Sequence, residues 1–362
     1  MSGVTVGPPP PGSGPAQAGG AGELAMEAVA ISKDFRLGRR LAVHAVREVS
    51  LRLHRGKVVA LVGESGSGKS TVARLLAGQE TLTSGSIRLH GQPVSLSTRR
   101  AFRRHKSDVQ LVFQDPFASL NPVHTVRYHL QRPVRLRQHM RSSADVGREV
   151  GTLLGQVRLT PAEQFLGKYP HELSGGQRQR VSFARALAAR PTVLLADEPV
   201  SMLDVSIRLE MLNLLDDLRR RFQLAMLYIT HDIASARYFA DEVLVMYAGQ
   251  VVERGPAEEV TQRPAHPYTQ LLIASAPDPD NLGGALRQAG QPGKGARTGA
   301  GPAAEGCPFT PRCPLAEDRC RRENPALLQI NATREAACWR LDAAAPGLVA
   351  GIRPPGPQGG GD

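Results

Sequence analysis

Gly63-Glu64-Ser65-Gly66-Ser67-Gly68-Lys69-Ser70 is the stretch on which the reading of this chain turns. It has the form G-x-x-x-x-G-K-S. Immediately before it, Val58-Val59-Ala60-Leu61-Val62 is an unbroken apolar run, the pattern of a buried strand. Immediately after it, Ser70 to Leu76 sets Val72, Leu75 and Leu76 on one helical face, and Gly78 stops the pattern. A glycine-rich turn between a buried strand and a helix lets successive backbone N–H groups curl around phosphate oxygens. The helix starting near Gly68 adds its positive end. Lys69 is expected to reach the β- and γ-phosphates of a nucleotide, Ser70 to ligate magnesium, and Thr71 to follow within the same site. A plain glycine-rich turn with a solvated lysine is the alternative, and the flanking strand and helix argue against it.

Working outward, Thr192 to Ala196 and Ala225 to Thr230 are further apolar strands, and helical patterns alternate with them. Such alternation predicts a parallel sheet covered by helices. Met26 to Phe35 and Val46 to Leu53 instead alternate like antiparallel strands. The globular pattern occupies residues 23–276. Residues 1–22 and 343–362 read as disordered Pro- and Gly-rich tails, and 277–306 as a flexible linker. Residues 307–342 form a small appended unit that holds all four cysteines, Cys307, Cys313, Cys320 and Cys338.

Composition narrows the class. The 41% hydrophobic share supports a sizeable core, while only 4% aromatics make it a core of Leu, Val, Ile and Ala. The net charge of +12 admits two partners, nucleic acid or an anionic membrane surface. Only six of the 45 basic residues are lysine, a skew that reads as compositional bias. No apolar run approaches the roughly 18 residues of a membrane span, and the N-terminal stretch lacks the plan of a secretory signal. A cytoplasmic protein is expected, and there a cysteine cluster suggests a metal site more than disulfides.

A phosphate loop does not choose among kinases, GTPases and transport ATPases; the segments beyond it do. Leu173-Ser174-Gly175-Gly176-Gln177 precedes a helix over Arg178 to Ala189. Val193-Leu194-Leu195-Ala196-Asp197-Glu198 is a buried strand ending in two acids. Phe113-Gln114-Asp115-Pro116, Ser201-Met202-Leu203-Asp204 and Ile229-Thr230-His231-Asp232 complete an ordered set. Each has a bland reading alone: a helix cap, a solvated turn, a structural histidine. Together, over about Met26 to Ala276, they resemble the ABC ATPases.

That resemblance implies an α/β P-loop NTPase fold with a RecA-like core, an antiparallel β subdomain and a helical signature subdomain between Gln114 and Ser174, followed here by the small cysteine-containing C-terminal extension. It implies that Asp197 holds magnesium through water and that Glu198 polarises the attacking water. Gln114 is the counterpart of a glutamine that senses magnesium and that water, and His231 of a switch histidine on the γ-phosphate. Phe35 stacks on adenine in the same reading. Asp204 lies in the loop that crosses a dimer interface, where the family more often has Ala at the place of Met202. Ser174, Gly175, Gly176 and Gln177 touch the γ-phosphate of ATP held by a second ATPase subunit, alike or related.

Phe113 to Pro122 reads FQDPFASLNP, and His266-Pro267-Tyr268-Thr269 and Gly306-Cys307-Pro308-Phe309-Thr310-Pro311-Arg312-Cys313-Pro314 follow. These resemble the ATPase subunits of dipeptide and oligopeptide importers, although the family often has His in place of Thr310. The resemblance implies ATP and Mg2+ as ligands and two transmembrane permease subunits as partners, with Gln114 to Val126 passing motion to them. It further implies an extracytoplasmic solute-binding protein acting through the permease and a place on the cytoplasmic face of the cell membrane. Relatives with such a tail also import nickel or oligosaccharides. For the cysteines, zinc and free thiols stay open, and the resemblance puts a 4Fe-4S iron-sulfur cluster ahead of both. An ABC ATPase acting on nucleic acid or ribosomes is the rival from another class. It is invited by the charge and by Arg99-Arg100-Ala101-Phe102-Arg103-Arg104-His105-Lys106, which reads more simply as a solvated helix face. No nucleic-acid partner is expected. A small-molecule kinase leaves the signature unexplained.

Overall fold

A computed structural model describes residues 22–37, 41–115, 119–137, 140, 142–275 and 305–341. The expected tails and linker, apart from residues 22, 305 and 306, and residues 116–118 of the FQDPFASLNP segment lie outside the described residues.

The first two strands, β1 (Leu24–Leu37) and β2 (Leu41–His54), pair antiparallel. Ala30, at a register shift of β1, has a positive φ, and its N–H donates to Ser50 Oγ at 2.8 Å. A side-chain hydroxyl thus satisfies an amide that the ladder leaves out. Two further strands, β4 (Ser84–Leu89) and β5 (Gln92–Pro93), complete a four-stranded antiparallel sheet in the order β2-β1-β4-β5. This is the β subdomain that the alternating pattern predicts.

The second sheet is built on β3 (Val58–Val62), β6 (Val109–Val112), β7 (Val193–Asp197), β8 (Ala225–Thr230) and β9 (Glu242–Tyr247). These five run parallel in the order β9-β3-β8-β7-β6. Every residue of β3, β7 and β8 is buried, as a strand covered on both faces requires. Alternate residues serve opposite cores. Val58, Ala60 and Val62 face a cluster that includes Leu130, Val150, Val181 and Leu215. Val59 and Leu61 face one that includes Val72 and Leu76 of the helix Lys69–Leu76 and the inner face of the β subdomain. The helices Val126–Arg137, Ser143–Gln156 and Glu163–Leu166 form the expected helical subdomain between Gln114 and Ser174.

Antiparallel strands extend the parallel sheet at one edge. β10 (Gln250–Pro256) turns back antiparallel on β9, and β11 (Leu328–Gln329) and β12 (Glu335–Ala336) extend that edge, giving the order β11-β12-β10-β9-β3-β8-β7-β6. Ala248 and Gly249 both have positive φ, as the two-residue hairpin between β9 and β10 demands. The cysteine extension is thereby sewn into the main sheet. Arg334 and Glu253, both fully buried, pair at 2.7 Å across β12 and β10, and Glu253 also accepts the N–H groups of Ala265 and His266 at 2.9 and 2.8 Å.

The basic run forms the helix Arg99–Asp108, capped by Thr98. Its arginines are exposed, while His105 is buried with Nε2 2.8 Å from the Leu76 carbonyl, and burial lowers its pKa. Among the described residues no helix is long and apolar enough to cross a membrane.

Candidate functional site

The phosphate loop leaves β3 at Val62 and enters the helix at Lys69. Two glycines have no substitute. A Cβ at Gly63 would stand 2.2 Å from the Met246 carbonyl oxygen, and one at Gly68 would stand 2.2 Å from that of Ala45, at a φ of +103°. The loop is thus wedged between β9 and β2. Lys69, although buried, aims its Nζ back at the loop and donates to the Gly63 and Glu64 carbonyls at 2.7 Å each. Burial lowers the lysine pKa, and the charges of Glu198, Asp197 and Glu64 oppose that shift.

Parallel pairing of β3, β8 and β7 brings their C-terminal ends together, so residues distant in sequence meet beside the loop. Ser70 Oγ donates to Asp197 Oδ1 at 3.0 Å. Burial raises the Asp197 pKa, and the Ser70 hydrogen bond works against it. A hydroxyl and a carboxylate oxygen side by side are hard donors that fit Mg2+. A cation there would offset the cost of a desolvated carboxylate.

Glu198 follows directly, at a φ of +45° that a residue with a side chain rarely adopts. Its side chain gathers the remaining groups. Gln114 Nε2 donates to Glu198 Oε2 at 3.0 Å, and His231 Nδ1 lies 3.3 Å from the same oxygen. Ser201 Oγ donates to the Glu198 carbonyl at 3.0 Å. Ser70, Asp197, Glu198, Gln114 and His231, read from four separate motifs, therefore form one connected cluster. Chemically, such an arrangement can place a carboxylate base next to a pair of hard oxygen donors and beside a glycine-rich loop. Phe35 pairs with Val43 in the β1–β2 ladder, and Lys33 Nζ lies 5.0 Å from its ring centroid.

Among the described residues Ser174 to Gln177 share no hydrogen bond with this cluster, and a Cβ on Gly175 would stand 3.6 Å from Leu203. Ser174 Oγ accepts the Gln177 N–H at 3.2 Å, and Gln177 Oε1 accepts the Ser174 N–H at 3.1 Å, a reciprocal cap on the helix Gly175–Leu187. Among the described residues no hydrogen bond joins them to the phosphate loop. Asp204 is exposed at the start of the helix Val205–Phe222 and makes no side-chain cap.

Cys307, Cys313, Cys320 and Cys338 are all free thiols and all line one small cavity with His266 and Phe309. Burial pushes the Cys307 and Cys313 thiols up and the Cys338 thiol to about 11. Among the described residues no three or more His, Cys, Asp or Glu groups stand at distances suited to one metal ion.

Sequence reasoning missed two partners of the loop. The Tyr268 hydroxyl accepts the Glu64 N–H at 2.9 Å, and Arg312 donates to both Glu64 carboxylate oxygens at 2.8 Å. The signals were present in His266-Pro267-Tyr268 and in the arginine before Cys313, but they served only as marks of resemblance.

Residues 46–201 match the family described as ABC transporter. Residues 252–320 match the oligopeptide/dipeptide transporter C-terminal region. The chain is 40% identical over 327 residues to the di/tripeptide transport ATP-binding protein DppF of Pseudomonas aeruginosa, covering 88% of this chain and 98% of that one. It is 40% identical over 297 residues to the oligopeptide transport ATP-binding protein AppF of Bacillus subtilis, covering 82% and 89%. Among solved structures it is similar to cbiO1 of Clostridium perfringens, part of the ABC transporter complex cbiONQ, with a TM-score of 0.58, 26% identity and 66% and 90% coverage. The MJ0796 transporter cassette, solved as a dimer in a post-hydrolysis state with ADP and Pi, gives 0.58, 26%, 64% and 98%.

Proposed function

We propose that this chain, which belongs to the ABC transporter family of ATP-binding proteins, hydrolyses ATP at the Gly63–Ser70 loop to drive peptide import. The observation that carries the site is the cluster in which Ser70 touches Asp197 while Gln114 and His231 converge on Glu198. The peptide cargo rests on likeness to DppF and AppF and on the match over 252–320. Nickel or oligosaccharides are the alternative cargoes for the same machinery.

In the reaction, water attacks the γ-phosphorus, the bond from that phosphorus to the bridging oxygen breaks, and ADP and phosphate leave. Glu198 takes the proton of the attacking water, which Gln114 and His231 help to orient. Ser70 and Asp197 would hold Mg2+, which would supply positive charge to offset that of the phosphates. Lys69 leaves the loop carbonyls for those phosphates. Ser174 and Gly175 serve the ATP of a second subunit. ATP then closes the pair because only the closed state completes its γ-phosphate contacts.

The chain works at the cytoplasmic face of the membrane with two permease subunits and, through them, an extracytoplasmic binding protein. Co-purification tests this reading: it predicts capture of permease subunits, whereas ribosomes or nucleic acid in their place would favour the rival. The four cysteines lining one cavity support the expected iron-sulfur cluster, although among the described residues no three of them stand at distances suited to a metal ion. When bound it would staple the extension. Brown protein after anaerobic purification, with iron and labile sulfide, is the expected result; colourless protein with zinc or no metal would remove the cluster.

A further inference from the structure

Among the described residues the cysteine extension is hydrogen-bonded to the phosphate loop at Glu64, and all three of that residue's polar ends are held. Its carboxylate receives both arms of Arg312 at 2.8 Å, a planar fork-to-fork pairing. Its N–H donates to the Tyr268 hydroxyl at 2.9 Å, which directs this amide away from the phosphate cradle. Its carbonyl accepts Lys69 Nζ at 2.7 Å. Neither holder is itself loose. Tyr268 is fully buried, with its ring 4.6 Å from that of Tyr247 and 5.5 Å from that of Phe309. Its backbone N–H donates to His266 Nδ1 at 3.0 Å, so the remaining ring proton of His266 lies on Nε2, and His266 bonds the backbone of Ala337, next to Cys338. Arg312 ends the short turn Thr310–Arg312, which is fixed by Thr310 Oγ1 donating to the Cys320 carbonyl at 3.0 Å. Two chains of contacts thus run from the cysteine cavity to the first variable residue of the phosphate loop.

We propose that Arg312 and Tyr268 are positioning residues that clamp Glu64 and hold the phosphate loop open for ATP, so that the extension sets nucleotide affinity. The clamp acts on the backbone between Gly63 and Ser65. With Glu64 pinned from outside, the loop keeps its curl when Lys69 turns from the loop carbonyls towards phosphate. Without it, the loop must be ordered by ATP itself, and binding weakens. Chemistry at Glu198 is untouched, so the effect falls on affinity and KM and leaves kcat nearly unchanged.

The proposal rests on reading Gly63–Ser70 as the ATP loop, and the test separates the two. Affinity for a non-hydrolysable ATP analogue is measured by calorimetry on the full chain, and KM and kcat in the complex with its permease. Lys69→Ala should abolish binding; if it does not, the loop reading fails. Arg312→Gln and Tyr268→Phe should each raise Kd and KM by about 3- to 10-fold, with kcat within about twofold. Tyr268→Phe keeps the ring packing, so it decides the matter if Arg312→Gln fails to fold. Glu64→Gln combined with Arg312→Gln should be no worse than either alone, because each removes the same contact. Kd within twofold of the parent in the Tyr268 and Arg312 variants, while Lys69→Ala abolishes binding, would overturn the clamp. So would fully additive effects of Glu64→Gln and Arg312→Gln, or a fall in kcat at constant KM.

Discussion

At the scale of single residues, the proposed mechanism places its chemistry on Glu198. It carries a left-handed backbone, accepts from Gln114 and stands beside His231. An amide in its place keeps the size but cannot take a proton, so Glu198→Gln should lower kcat on the order of 100-fold or more while ATP still binds. Near-normal turnover in the assembled complex would remove Glu198 from its role. Asp197 supplies a second test. Burial raises its carboxyl pKa, so the folded state disfavours the charged form relative to the unfolded chain. That disfavour is absent below the ordinary carboxylate pKa and grows as pH rises through the folded value. Asp197→Asn should therefore raise Tm in magnesium-free buffer at neutral pH, by about 2–4 °C for each kcal/mol relieved, while ending hydrolysis. A lowered Tm would contradict that. The motifs made the identity of these residues legible, because the chemistry dictates the residue type. The φ of Glu198 was not legible, since it follows from how β7 meets the following turn.

At the scale of elements, period and punctuation carried most of the fold. The unbroken apolar runs of β3, β7 and β8 gave buried strands, and the valine and leucine spacing after Lys69 gave its helix. The β9–β10 hairpin escaped notice because Ala248, at positive φ, is not a residue that announces a turn. The pairing of β10 with β12 joins Glu253 to Ala336, and such register is fixed only by tertiary packing. Two predictions belong here. Ser174→Arg puts a bulky cation on the reciprocal cap, so its own loop should still bind ATP while ATP-dependent dimerisation in a Glu198→Gln background is lost; normal dimerisation would contradict the cross-subunit site. His266 is buried neutral under the extension, and burial lowers its pKa to about 4. The unfolded chain binds a proton at this histidine below about 6.5, so stability drains away as pH falls from there towards 4. The loss is on the order of 3 kcal/mol from this group. His266→Asn should flatten that part of the Tm-against-pH curve, and an unchanged slope would show that the histidine is not the titrating group.

Across the whole molecule, two sheets and a helical subdomain bring four motifs to one end of β3, β7 and β8, and an extension closes over the phosphate loop. The sequence read as a nucleotide unit followed by an appended cysteine segment; the structure joins the two through β12, the buried Arg334–Glu253 pair and Arg312. That join was illegible because every contact in it links residues far apart in the chain, on either side of a Gly- and Pro-rich stretch. If, as proposed, the ATP site is completed only across a dimer, the subunit should turn over slowly alone, and cargo should control its rate. The most direct measurement is ATP hydrolysis by the chain assembled with its permease subunits in proteoliposomes, with solute-binding protein and a dipeptide or oligopeptide added from the opposite side. The account predicts slow hydrolysis without peptide, a several-fold rise with it, and no response in Glu198→Gln. Full-rate hydrolysis by the chain alone, indifferent to permease and peptide, would contradict it.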